Sequence, residues 1–238
     1  MKVIVTGATG NAGRQIVQQC IDSPRITKVV ILTRRAVSGE VESHPKVEVV
    51  MQQDFSHYTE AVMSRLEGAE ACLWAIGSRA EQLKSEKGLH RKVGVELPIT
   101  AAKAFCARLA NKVPAKGKFR FVFCSRHAAE RSRRPLLLMS ESRRCVNEVE
   151  RGLGEVADDA HRDKFEAYIL RPASFIASEG QFPEPPASVS KKLVGGLHGS
   201  SSSSSTIGTV QVGKAMVHVA CNGWRERTIE NDVLVKVA

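Results

Sequence analysis

The stretch Met1-Lys2-Val3-Ile4-Val5-Thr6-Gly7-Ala8-Thr9-Gly10-Asn11-Ala12-Gly13-Arg14 decides the fold. Val3, Ile4 and Val5 make a short apolar strand, and Ile16, Val17, Cys20 and Ile21 then fall at helical spacing. Strand, glycine-rich turn and helix, in that order, form the setting in which such a run cradles a diphosphate. Gly7 permits the sharp exit from the strand, Gly10 lets backbone approach the anion, and Gly13 lets the helix settle on the strand. The first N–H groups of the helix lack partners within it and, with the positive end of its dipole, face that anion. Thr9, Asn11 and Ala12 complete the loop and are candidate cofactor contacts. The spacing G-x-x-G-x-x-G is one residue longer at the front than G-x-G-x-x-G, and a tight turn with no ligand is its other reading.

Outward from this loop the chain alternates strands and helices. Lys28 to Thr33 reads as a second strand, apolar on both faces as a central parallel strand should be. It runs into Arg34-Arg35. An acidic residue there would bond the ribose 2′-OH of NAD, whereas arginine accommodates the 2′-phosphate of NADP. The pair therefore predicts NADP(H) over NAD(H). Val47 to Met51 makes a third strand ending in Gln52-Gln53-Asp54-Phe55. Asp54, with Phe55 beside it, is either near the adenine amino group or a helix N-cap for the run starting at Ser56. Ala71 to Ile76 reads as strand four, broken by Gly77 where the sheet's carboxyl edge would pass the nicotinamide ribose.

A long helical pattern runs from Gly88 to Ala110, and Pro98 inside it predicts a kink or a late start. Phe119 to Ser125 is strand five, and 126–135 is basic and irregular. A helix is expected from Leu136 to Leu153, then strand six at Ala167 to Leu170, followed by Arg171-Pro172. Residues 179–206 are rich in Gly, Pro and Ser, with Ser200 to Ser205 in one run, and predict a substrate lid. A helix from Val210 to Asn222 and a short apolar tail at Val233 to Val237 close the chain. The fold class is α/β, a doubly wound parallel sheet with a small C-terminal lid. One domain spans 1–238, with its core in 1–178 and the lid and last helix in 179–238.

The 238 residues are 42% apolar and contain no run long enough to span a membrane. Six cysteines, none in a C-x-x-C pair, predict buried free thiols with neither disulfide nor metal site. With no leader-like start, these features predict a cytoplasmic protein. The net charge of +10 collects partly at Arg126, Arg131, Arg133, Arg134, Arg143 and Arg144. Only 5% of residues are aromatic and no nucleic-acid motif is present, so this reads as a solvated basic face partly turned to an anionic cofactor.

Taken together, Thr6-Gly7-x-x-Gly10-x-x-Gly13, Ala75-Ile76-Gly77, Cys124-Ser125 and Leu170-Arg171-Pro172 resemble the atypical short-chain dehydrogenase/reductases. The similar branch holds the NmrA-like regulators and the Tat-interacting-protein-like NAD(P)-binding proteins. The resemblance covers residues 1–178 and, more loosely, the last helix. It implies a bound dinucleotide touching Ala75, Ile76, Gly77, Arg171 and Pro172 as well as the glycine loop. It also implies a Tyr-x-x-x-Lys helix pair working with a serine on strand five. Ser125 takes the serine position. The tyrosines, Tyr58 and Tyr168, are followed four residues on by Val62 and Pro172, so the pair is missing. Ser140 and Arg144 align with its two positions, but a serine hydroxyl is too weak an acid to replace a phenol, and arginine shuttles no proton. The replacement acid would be His127, Ser125 acting through water, or a group on the lid. Two readings remain: an NADP-dependent reductase with an unknown small-molecule substrate, or a module reporting NADPH level or redox ratio to a regulatory protein partner.

Overall fold

The computed structural model describes residues 1–77, 88–114, 117–125, 141–159, 163–176 and 206–237. Strands β1 (Lys2–Thr6), β2 (Lys28–Thr33), β3 (Val47–Met51), β4 (Ala71–Trp74), β5 (Phe119–Cys124) and β6 (Phe165–Arg171) alternate with helices α1 (Asn11–Asp22), α2 (Gly39–Glu42), α3 (Glu60–Leu66), α4 (Leu97–Arg108) and α5 (Glu141–Asp158). The chain ends with β7 (Ser174–Ile176), β8 (Thr206–Gly208), α6 (Thr209–Asn222), β9 (Thr228–Glu230) and α7 (Asn231–Val237). Seven of these strands form one sheet in the order β3-β2-β1-β4-β5-β6-β9, every pairing parallel. β7 and β8 make a separate parallel ribbon.

Alternation along the strands assigns the two layers. Val3, Val5, Val29 and Ile31 point to the side covered by α1 and α6, while Ile4, Val30 and Leu32 point to the side covered by α3, α4 and α5. Phe105 of α4 is fully buried on that second side among Tyr58, Phe119 and Phe121. On the first side Gly213 of α6 lets that helix lie against α1: a Cβ there would sit 3.0 Å from the Gln15 carbonyl.

Several boundaries differ from the sequence reading, each for a local reason. Of the two outcomes expected of Pro98, the late start is the one found: α4 begins at Leu97, with the proline in its first turn. A π-helical turn over Lys92–Glu96 precedes it, in which the Leu97 N–H reaches back to Lys92 O, so the widened turn takes up the proline. α5 continues to Asp158 through two glycines, because Gly152 lies against Ile99 of α4, where a Cβ would come within 2.4 Å of the Ile99 side chain. The expected apolar tail is α7, and β9 before it adds a seventh strand that three residues were too short to announce. β4 ends at Trp74, two residues before Ile76. No helix of the described residues is long and apolar enough to cross a membrane. Of the expected lid at 179–206, Thr206 opens β8 and the rest lies outside the described residues, as does the expected helix start at 136–140.

Candidate functional site

Strand order reverses between β1 and β4, and the crevice at the carboxyl ends of those strands is where ligands bind in open α/β sheets. Gly7 sits there at φ +71°, and a Cβ on it would come within 2.4 Å of Ala75 O at the end of β4. Gly13 is tighter, since its Cβ would lie 2.0 Å from Gly7 O. Both glycines are thus required by the protein's own backbone. Gly10 differs. Its added Cβ would approach only Gly7 O, at 3.3 Å, leaving room above it for a ligand. Gly10 N donates to Gly7 O at 2.9 Å and Arg14 N to Gly10 O at 2.9 Å, which fixes the loop as the N-cap of α1. No side chain caps this helix and no acid stands in its first turn, so the N–H groups of Asn11, Ala12 and Gly13 point to the crevice with no carboxylate competing. The Thr6 hydroxyl accepts from Ala75 N at 3.3 Å, tying the loop's entry to Ala75-Ile76-Gly77.

At the end of β2, the Thr33 hydroxyl accepts from Arg35 N at 3.2 Å and donates to Arg35 O at 2.8 Å. That turn sends the Arg35 side chain across to the glycine loop, where Nη2 donates to Thr9 Oγ1 at 2.9 Å. Arg34 is exposed beside it, its carbonyl accepting from Gln53 Nε2 at 3.3 Å. Buried Gln52 organises the next loop, its amide donating to Asp54 O and, at 2.6 Å, to His57 O. Asp54 is not a helix N-cap. Thr59 caps α3, and the Asp54 carboxylate accepts from Ser56 N at 2.9 Å and from Ser56 Oγ, which holds its pKa below the usual value. Phe55 is buried against Trp74 and Tyr58 and offers the crevice no ring face.

At the ends of β5 and β6 stands a polar network. Ser125, 2% exposed, donates its hydroxyl to Glu150 Oε1 at 3.1 Å. The Glu150 side chain, 9% exposed, also accepts from Arg171 Nε at 3.0 Å and from Arg171 Nη2, while Arg171 Nη1 reaches Glu230 at 2.8 Å. Hydrogen bonds to Glu150 push the Arg171 pKa still further up, so the guanidinium holds its proton and its charge. Arg171, expected at the cofactor, lies between two carboxylates, and Pro172 is buried behind it. Glu150 was not singled out from the sequence. Its one signal there is position, next to inward Val149 on a helix facing a strand-end arginine. Arg144 is exposed in the first turn of α5, while Ser140, His127 and Arg126 to Arg134 lie outside the described residues.

Three further acid–base candidates among the described residues, Tyr58, Tyr168 and Cys124, hold their protons near neutral pH. Burial pushes the Tyr58 phenol far up, and its hydroxyl is buried with no hydrogen-bond partner. Tyr168 is raised, mainly by burial, and its hydroxyl donates to Glu166 at the far, amino edge of the sheet. Cys124, next to Ser125, is pushed up to about 12 by burial, and its thiol stays protonated. All six cysteines are free, and five of them are buried. The described residues contain no group able to hold a metal ion.

Comparison with known proteins matches the chain, over residues 7–218, to the family described as NAD(P)H-binding. A curated relative, the leucinostatins biosynthesis cluster protein T of Purpureocillium lilacinum, is 32% identical over 125 residues, which is 52% of this chain but 42% of that protein. The chain thus spans less than half the length of that relative. Among solved structures, the carbonyl reductase Sniffer of D. melanogaster superimposes with a TM-score of 0.66 at 12% identity over 98% of this chain and 97% of that one. The dTDP-glucose 4,6-dehydratase DesIV of Streptomyces venezuelae, with NAD bound, gives 0.66 at 18% identity over 100% and 80%. The yeast methylglyoxal/isovaleraldehyde reductase Gre2, with NADPH bound, gives 0.63 at 17% identity over 97% and 76%. At those identities the likeness is one of fold. With the glycine loop set on the sheet's switch point, the match over most of the sequence places the chain in the NAD(P)H-binding family, on a Rossmann fold.

Proposed function

We propose that the chain is an NADP(H)-binding protein of oxidoreductase type whose phosphate reader is Arg35, with Arg34 beside it. The observation that carries this is the Arg35–Thr9 hydrogen bond, which holds a guanidinium over the rim of the glycine loop at the end of β2. A 2′-phosphate there would meet a planar donor fork already in position, and the strand end carries no carboxylate to favour a free 2′-OH. The N–H groups of Asn11, Ala12 and Gly13 take the diphosphate, and Thr9 and Ala75 to Gly77 flank it. When bound, the cofactor supplies or accepts hydride.

Ser125 is held in a way that bears on the proton. Its partner Glu150 also accepts two bonds from Arg171, and a carboxylate oxygen so placed accepts, so the serine proton is directed at Glu150. Ser125 therefore presents lone pairs, not a donor, to a carbonyl. Together with the missing Tyr-x-x-x-Lys pair, this favours the second reading: a module that binds NADPH and reports it to a protein partner. General acid catalysis supplies about 10²–10⁴-fold, so under that reading NADPH oxidation by aldehydes, ketones and quinones runs well below the ordinary range of roughly 1–10³ per second. Turnover within that range would restore the reductase reading.

The cofactor proposal is tested by changing Arg34 and Arg35 together to alanine. Calorimetry should show NADP⁺ weakened by about 2–4 kcal/mol, with NAD⁺ nearly unaffected, since each charge-assisted contact is worth about 1.5–3 kcal/mol. Equal losses for the two cofactors would contradict it.

A further inference from the structure

A groove lies on the edge of the sheet opposite the glycine loop. Arg120 pairs with Ala71, the first residue of β4, and with Glu166 of β6, so these side chains mark the amino edge, whereas Gly7 and Ser125 follow the carboxyl ends. One cavity there, of about 510 Å³, is lined by Arg120, Glu166, Trp224 and Arg225. A second, of about 300 Å³, is lined by Arg25 and Lys214. His218 and Asn222 line both, so the two lie side by side at the C-terminal end of α6. Lys214, His218 and Asn222 recur every four residues and share one face of that helix.

The charges in this groove are unbalanced. Among the described lining residues four cations face one carboxylate, Glu166, which already accepts from Tyr168 Oη at 3.0 Å and Arg120 Nε at 3.3 Å and lies 3.3 Å from Lys118 Nζ. Arg120 donates to the Ala220 and Cys221 carbonyls at 3.1 and 3.2 Å, and Arg25 donates to Cys221 O at 3.1 Å and to Asn222. These neutral acceptors close the end of α6; Arg120 has Glu166 as its one counter-charge, while Arg25 meets no carboxylate among the described residues. Exposed Lys214 and Arg225 have no ion-pair or hydrogen-bond partner among the described residues. Between them half-buried Trp224 stands edge-on to His218, with ring centroids 5.9 Å apart. The chain's other tryptophan, Trp74, is fully buried.

We propose that this groove is a second ligand site, taking a small compound with a flat aromatic ring and one phosphate or carboxylate. The anion sits in the smaller cavity against Arg25 and Lys214. The ring lies in the larger one against Trp224, beside His218, with Arg225 at the rim. Cavities of a few hundred Å³ are the size that small ligands use, an aromatic wall binds a ring by edge and face contacts, and a cationic lining concentrates anions. The site is separate from the dinucleotide crevice and does not depend on how that crevice is used.

The test is a calorimetric titration of the full chain with 1-naphthyl phosphate, in the presence of saturating NADP⁺ so that the glycine loop cannot take the probe. Saturable binding near one equivalent is expected, with a change in Trp224 emission. Changing the exposed pair Lys214→Ala and Arg225→Ala should weaken it tenfold or more while leaving the melting temperature unchanged. Inorganic phosphate should bind at least tenfold more weakly than the naphthyl ester. Absence of saturable binding, or equal affinity in the double variant, would overturn the proposal. Phosphate binding as tightly as the ester would overturn the aromatic part of it.

Discussion

Three glycines in one loop have three different reasons to be glycine, and substitution should separate them. Gly13→Ala places a methyl 2.0 Å from Gly7 O, a backbone atom that cannot step aside, and should destabilise the fold by roughly 1–3 kcal/mol or more. Gly10→Ala meets only one atom, at 3.3 Å, so the fold should hold within about 1 kcal/mol while the cradle above the loop fills. Its expected signature is NADP(H) affinity reduced tenfold or more with a near-normal melting temperature. Thermal melts beside cofactor titrations read both quantities. A Gly10→Ala protein that binds cofactor normally would show that the diphosphate does not lie on this loop. The sequence reading reached all three glycines because their spacing is local. It did not reach Glu150, because what makes that residue matter is Arg171, 21 residues away on a strand packed against its helix.

At the scale of elements, strands β1 to β6 were legible because a parallel sheet buried on both faces needs runs of Val, Ile, Leu and Phe. β9 and α7 were not, since three residues carry no period and Val233 to Val237 fits a strand as well as a helix. The π-helical turn before Pro98 was hidden as well, because proline announces a lost hydrogen bond but not which turn absorbs it. The edge of the sheet offers a test of its own. Glu48 of β3 is clamped by Lys28 of β2 and by Arg65 Nε of α3 at 2.8 Å. Burial raises its pKa, but bonds from both cations outweigh that, so the net shift is downward. A carboxyl whose folded pKa lies below its unfolded value stabilises the fold above the unfolded pKa, near 4.5, and loses that contribution as pH falls through the folded value. Glu48→Gln should therefore cost about 0.5–1 kcal/mol at pH 7, the cations being half-exposed, and close to nothing near pH 3. Denaturant melts at the two pH values check this, and a cost that grows in acid would contradict it.

At the scale of the whole molecule, the two faces of one sheet do different work. The side holding α3, α4 and α5 carries the aromatic packing and supplies Glu150, while the side holding α1 and α6 brings the glycine loop and the α6 groove to opposite edges. The carboxyl edge carries the crevice at the loop after β1, with Arg35 from the end of β2 beside it, and the Ser125–Glu150–Arg171 network at the ends of β5 and β6. Whether that crevice reads the 2′-phosphate is the claim on which the functional account stands. The direct measurement is a side-by-side calorimetric titration of the unmodified protein with NADP⁺ and NAD⁺ at one ionic strength. One extra charge-assisted contact of about 1.5–3 kcal/mol predicts NADP⁺ binding at least tenfold tighter. NAD⁺ binding as tightly as NADP⁺, or more tightly, would contradict the account.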